Sequence, residues 1–240
     1  MAGREEEPLI TIPRWNQVGF LVHGFGRKGW TAADLMSRFP GYVMVTTKQV
    51  HSDKVNFIES VPGSRPVGDG LATDQPGLLL VVKTADCLPI LLADPERRVV
   101  AALHCGWRGT VERLAEKAVA ALAARYGAEP AGLLAAFGPC VQKPCYEVGE
   151  DVKSRFEAAG LPLDDLEPHP SKEGKYLLDL QGANRFQLLR AGLEPGRMNF
   201  VGDCTHCQPS LSSFRREKEK AGRMLSFVGL KSGLSSSGTG

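Results

Sequence analysis

The chain has little that would take it into a membrane. Its strongly apolar runs are short: Leu78–Val82 stops at Lys83, whereas a spanning helix needs about 20 apolar residues. The segment Met1–Pro8 carries one arginine and three glutamates with no apolar stretch behind it, which is unlike a secretory leader. A cytoplasmic location is expected. Net charge is scarce as well, since 29 basic and 27 acidic residues leave only +2. That is too balanced for the basic footprint of a nucleic-acid binder, so neither nucleic acid nor a membrane is an expected partner. Six cysteines in 240 residues are too dilute for a disulfide framework, and in a reducing compartment they would be thiols, ligands or nucleophiles. No period repeats, and low complexity is confined to Lys231–Gly240, a Ser- and Gly-rich tail expected to be disordered.

What is present is enough to fold. A hydrophobic fraction of 42% against 23% charged residues can offset the entropy of ordering the chain, and one domain over residues 1–230 is expected. Tyr42–Thr47, Leu78–Lys83, Pro89–Ala93 and Val99–Leu103 read as strands buried on both faces. The turn residues Asp94–Arg97 fit a hairpin, so the sheet is mixed rather than purely parallel. Val111, Leu114, Ala115, Ala118, Val119 and Leu122 recur at helical spacing, with Thr110 as cap and Gly127 as stop. Helices are also expected over Val148–Ala159 and Leu178–Ala191, and strands near Leu133–Phe137, Asn199–Val201 and Leu225–Val228. The class is α+β, with helices covering the sheet.

Several segments could carry chemistry. His104-Cys105-Gly106-Trp107-Arg108-Gly109 lies between a strand and a helix. There, free N–H groups, close-approach glycines and Arg108 would make an anion site; the alternative is a tight turn with Trp107 packed and Arg108 solvated. Thr84-Ala85-Asp86-Cys87 is a polar break between apolar runs that would otherwise form one strand. His51 follows the first clear strand. His51, Cys87 and His104 thus each interrupt a strand run, 36 and 17 residues apart. Such separations are far from zinc-finger spacing, yet three ligands from separate strand ends would leave a fourth position open, as in catalytic zinc. Cys204-Thr205-His206-Cys207 has the C-x-x-C interval but no second such pair, so a structural role is expected there. Phe214–Lys220 reads as a mixed-charge face, with Arg215 or Arg216 reaching a phosphate as the alternative.

These residues, taken with Lys48-Gln49-Val50-His51, Asp69-Gly70, Thr84–Ile90, Gly138-Pro139, Cys145–Gly149, Leu178-Asp179-Leu180, Ala183-Asn184, Cys204-Thr205 and Phe214-Arg215-Arg216, resemble the YfiH family in order from about His23 to Gly222. Its members have been labelled laccase-like polyphenol oxidoreductases, purine nucleoside phosphorylases that also deaminate adenosine, and peptidoglycan editing factors. The resemblance implies an α+β fold, a mixed β-sheet sandwich flanked by helices. It also implies that His51, Cys87 and His104 are zinc ligands and catalytic. Arg108, with Arg27, Lys48 and Arg215 behind it, is the candidate binder of phosphate. Two departures stand out: Cys105 replaces the usual Ala, and the amino-terminal motif is shortened to His23-Gly24-Phe25-Gly26-Arg27-Lys28-Gly29.

The reading is therefore a zinc-dependent enzyme of purine nucleosides and phosphate, acting on adenosine, inosine, guanosine and methylthioadenosine. Two alternatives stand beside it. One is a copper-dependent polyphenol oxidoreductase, since two His and one Cys also suit copper, although His23, His51, His104, His169 and His206 are too few and scattered for a multicopper cluster. The other is a thiol hydrolase editing peptidoglycan precursors, with Cys87 as nucleophile and a histidine base.

Overall fold

The two central apolar runs do not make one strand because they belong to different sheets. The computed structural model describes residues 7–232. Its elements run β1 (Leu9–Ile10), α1 (Pro13–Asn16), β2 (Leu21–Gly26), α2 (Ala32–Arg38), β3 (Val43–Thr46), β4 (Val55–Phe57), β5 (Gly70–Thr73), β6 (Leu78–Thr84), β7 (Leu88–Asp94) and β8 (Val99–Cys105). There follow α3 (Trp107–Val111), α4 (Leu114–Tyr126), β9 (Leu134–Phe137), β10 (Glu147–Gly149), α5 (Glu150–Ala158), β11 (Leu166–Pro168), β12 (Lys175–Leu178), α6 (Leu180–Arg190), β13 (Met198–Phe200), α7 (Phe214–Glu217) and β14 (Met224–Leu230). One sheet has the order β1-β2-β14-β6-β3, the second β13-β9-β7-β8-β5-β4, and a small third β10-β12-β11. The pairs β3/β6, β4/β5 and β9/β13 are parallel and the others antiparallel, so the expected mixed sheet is present, doubled.

Side-chain alternation explains how the layers stack. Along β8, Val100 and Ala102 join Leu80, Val82, Phe25 and Val228 between the two large sheets. Val99, Ala101, Leu103 and Cys105 face the other way, into a core with Leu114, Ala118 and Leu122 of α4 and Leu188 of α6. Leu35 of α2 covers the outer face of the first large sheet with Leu79, Val81 and Phe227. The result is helix, sheet, sheet, helix. Each fully buried Leu, Val or Phe contributes roughly 1.5–3 kcal/mol relative to exposure. Among the described residues no helix is long and apolar enough to cross a membrane.

The helix expected from Thr110 is broken. Residue 113, an arginine, adopts the left-handed conformation (φ 60°, ψ 40°) and separates α3 from α4. At the break the Thr110 carbonyl accepts the Arg113 N–H at 3.0 Å and Gln187 Nε2 at 2.7 Å, and its hydroxyl accepts from Asn184 at 2.9 Å. Thr110 is thus a buried tie between α3 and α6, not a cap. The segment expected as helix from Val148 opens instead as β10, with α5 beginning at Glu150. The predicted tail lies outside the described residues from 233 onward; the Lys231 N–H bonds the Phe20 carbonyl at 2.8 Å.

Buried His23 links this fold to pH. Its Nε2 accepts the Ile12 N–H at 2.9 Å, and burial pulls its pKa down to about 4. Below the ordinary value of 6.5 the unfolded chain takes up a proton that the fold refuses, so stability falls as pH drops from 6.5 toward 4. We expect His23→Gln, which keeps an acceptor, to remove up to about 3 kcal/mol of that acid loss. Urea unfolding of both proteins at pH 7 and pH 4.5 measures the difference; identical pH slopes would refute this role.

Candidate metal centre and catalytic cavity

The trio predicted from the sequence converges. His104 is near the end of β8, Cys87 sits in the crossover from β6 to β7, and His51 lies in the loop after β3. One nitrogen from each imidazole and the Cys87 sulfur all fall within 4.8 Å of one another, and the two rings meet edge to face at 4.9 Å and 67°. His51 is exposed, Cys87 half-buried and His104 buried, so the group opens to solvent on one side.

Two residues here hold left-handed backbone without being glycine: His51 (φ 61°) and Asp86 (φ 89°). Such strain costs about 1–3 kcal/mol and persists only where the surroundings enforce it. Asp69 enforces the first. Its Oδ2 accepts the N–H groups of Val50 (3.2 Å) and Ser52 (2.6 Å) and the Ser52 hydroxyl (2.8 Å), gripping the loop on both sides of His51. Thr205 and Arg215 enforce the second, the Thr205 hydroxyl donating to Asp86 Oδ1 at 2.6 Å and the Arg215 N–H to Oδ2 at 2.7 Å.

Asp69 also orients His104. Its Oδ1 lies 2.8 Å from His104 Nδ1, and its own carbonyl accepts the His104 N–H at 2.8 Å. Burial works against the Asp69 charge, but the bonds from His104, Ser52 and Val50 hold its carboxyl well below the usual range. An ionised carboxylate only accepts, so Nδ1 carries a hydrogen, and Nε2 faces the site, where a metal ion would take the place of its proton. Burial opposes charge on His104 and Cys87 too. Asp69 and Cys87 nonetheless hold His104 up at about 9, and the two histidines bring Cys87 down to about 6. A thiolate beside two imidazoles is a donor set for a transition-metal ion. Gly106 leaves room for it: a Cβ there would stand 3.0 Å from both the Cys87 sulfur and His51 Cδ2.

The centre forms the floor of a cavity of about 820 Å³. Lys48, Arg108 and Arg215, three of the candidate phosphate binders, line it, joined by Arg65, Lys83, Lys218 and Arg223, with Asp86 the one acidic lining residue among the described residues. Trp107, Tyr146 and Phe214 supply aromatic walls; Arg108 lies over the Trp107 ring at 4.5 Å and Arg215 over Tyr146 at 4.7 Å. Arg27 does not line this cavity: its guanidinium donates to the Glu7 carbonyl and the Ser210 hydroxyl. Arg216 turns away as well, onto the carbonyls of Thr205 and His206. The helix-start anion site expected at Thr110 is also corrected. The five-residue α3 begins at Trp107 with Gly106 as its cap, so it is the Arg108 side chain that reaches the cavity. Cys105, one residue from a candidate ligand, faces the helical core, where burial and nearby negative charge push its thiol up and keep it protonated.

The model of the multi-copper polyphenol oxidoreductase laccase family matches residues 31–231. The chain belongs to this family, the YfiH family. The crystal structure of a hypothetical protein YfiH from Bacillus licheniformis superposes with a TM-score of 0.87 at 28% identity, covering 95% of this chain and 98% of that one. A Deinococcus radiodurans protein named purine nucleoside phosphorylase is 45% identical over 76% of this chain and 68% of its own length. A protein named adenosine deaminase RL5, from an unknown prokaryotic organism, is 39% identical over 78% of this chain and 74% of its own.

In this YfiH-family centre the residue sequence reasoning left without a role is Asp69, visible only as part of an Asp-Gly pair. We expect Asp69→Asn, which removes a charged acceptor from both ligand-bearing segments, to weaken divalent-metal affinity by roughly 10–100-fold. Competition against a chromogenic chelator checks this, with circular dichroism to establish folding; unchanged affinity in the folded variant would remove Asp69 from the centre's support.

Proposed function

We propose that this YfiH-family protein is a zinc-dependent purine nucleoside enzyme. It would cleave adenosine, inosine, guanosine and methylthioadenosine with phosphate and deaminate adenosine, in the cytoplasm, where its cysteines stay reduced. The observation that carries the reading is the His51–Cys87–His104 cluster on the floor of a cation-lined, aromatic-walled cavity. The names of the Deinococcus relative and of RL5 agree with it.

His51, Cys87 and His104 would hold the zinc. Bound there, zinc supplies Lewis acidity and draws the pKa of a water toward neutrality, the chemistry needed to displace ammonia from the purine C6. Asp69 fixes the His104 ring so that Nε2 faces the site. Arg108, Lys48 and Arg215 would gather phosphate by charge-assisted bonds. The same cations would offset charge as a phosphate oxygen bonds the anomeric carbon and the bond to the base breaks. Trp107, Tyr146 and Phe214 offer faces for a purine. The buried Thr47 hydroxyl lines the cavity and has no protein partner among the described residues, so a ribose hydroxyl would satisfy it. Copper is disfavoured because, among the described residues, no methionine lines the cavity to offer a thioether as a weak axial ligand.

Incubation with adenosine, inosine and methylthioadenosine, with and without phosphate, tests the proposal. We expect inosine from adenosine without phosphate, and free base plus sugar phosphate when phosphate is present. Cys87→Ala should abolish deamination and lose one zinc per chain. Copper with a strong visible thiolate band would overturn the zinc reading, and full activity after chelation would favour a Cys87 nucleophile.

Arg108→Ala should raise the KM for phosphate about tenfold, the worth of one charge-assisted contact near 1.4 kcal/mol, with zinc content unchanged. Phosphate saturation curves measure it; an unaltered KM would take Arg108 out of the phosphate site.

A further inference from the structure

Three other cysteines gather outside the cavity. Cys145 ends the turn Lys143–Cys145 ahead of β10, and Cys204 and Cys207 share the turn after β13. Their sulfurs all lie within 4.8 Å of one another, with Cys145 Sγ 3.3 Å from Cys207 Sγ. Sulfurs sharing a tetrahedral zinc ion, each about 2.3 Å from it, stand roughly 3.8 Å apart, whereas a disulfide needs about 2.05 Å. The cluster is therefore spaced for a common ion with small adjustments.

The turn is shaped for a thiolate. Cys204 Sγ accepts the Gln142 N–H at 3.4 Å; burial opposes its charge, but this bond and the neighbouring Cys207 and His206 N–H groups hold its thiol below the usual value. Three N–H dipoles aimed at one sulfur favour its charged form, which is the form a metal takes. Arg216 pins the turn from behind, donating to the carbonyls of Thr205 at 2.6 Å and His206 at 2.8 Å. Exposed Cys207 leaves the cluster open to solvent, so an ion can enter.

We propose that Cys145, Cys204 and Cys207 form a second metal site, which binds zinc through three thiolates with solvent in the fourth position. As the three sulfur–metal bonds form, the thiol protons pass to solvent. The site is also mechanically joined to the first centre, because Thr205, inside the same turn, holds the Asp86 carboxylate next to Cys87. The C-x-x-C interval supplies two of the three sulfurs of this site; the third, Cys145, lies 62 residues from Cys207 in the chain.

The full chain, reduced, loaded with zinc and desalted, is analysed for metal by mass spectrometry. We expect two zinc ions per chain, one in Cys204→Ser/Cys207→Ser, one in Cys87→Ala, and none when all three substitutions are combined. Cobalt-substituted protein gives a second reading. Its near-ultraviolet thiolate band should lose about three quarters of its intensity in the Cys204→Ser/Cys207→Ser variant and about one quarter in Cys87→Ala, following one thiolate in the first site and three in the second. Because Cys87→Ala keeps the second ion, the outcome here is separate from that of the nucleoside assays. A folded double variant with the metal content of the parent would overturn the proposal. So would a parent chain that binds one zinc and carries a Cys145–Cys207 disulfide. Should the double variant fail to fold, iodoacetamide labelling of Cys207 in the parent decides: protection by zinc supports the site, and labelling unaffected by saturating zinc refutes it.

Discussion

One carboxylate organises the centre. Asp69 is fully buried, and every acceptor it offers is taken: one oxygen by the imidazole of His104, the other by the loop around His51, and its carbonyl by the His104 N–H. Buried charge is expensive unless hydrogen-bonded on all sides, so these contacts stand or fall together. The same bonds that solvate Asp69 determine the tautomer of one histidine and the left-handed backbone of the other.

Around that anchor the fold does two things. It places the candidate ligands where the two large sheets meet at their open end: His104 shares a face of β8 with Val100 and Ala102, which lie between the sheets, and Cys87 stands on the segment that passes from one sheet to the other. It also concentrates positive charge. Seven of the residues lining the cavity are lysine or arginine, although the chain as a whole is nearly neutral. A balanced total conceals a strongly one-sided local field, which is the quantity an anionic reactant experiences.

The parts of this that were legible from the sequence are those written in single segments. His51, Cys87 and His104 each interrupt a strand run, and continuous apolar runs announced β6, β7 and β8. What escaped depends on distant partners. The polar break at Thr84–Cys87 divided two strand runs in the sequence; that it is the passage between two sheets no local pattern reveals. Helix periodicity ran through residue 113, whereas the Gln187 and Asn184 side chains that bond Thr110 at the break lie more than 70 residues away. Arg27 and Arg216 were chemically suitable for phosphate, yet backbone carbonyls had prior claim on both.

The sheet crossover gives the metal centre a property beyond chemistry. His51 hangs from an edge of one large sheet and His104 from the middle of the other, so an ion they shared would cross-link two layers that meet through the apolar core and, at this end, through the Asp69 hydrogen bonds. Affinity at such a position depends on the gap between the layers. Residues packed deep in the sandwich, with no path to solvent, therefore act as the spacers that calibrate how tightly the cation is gripped.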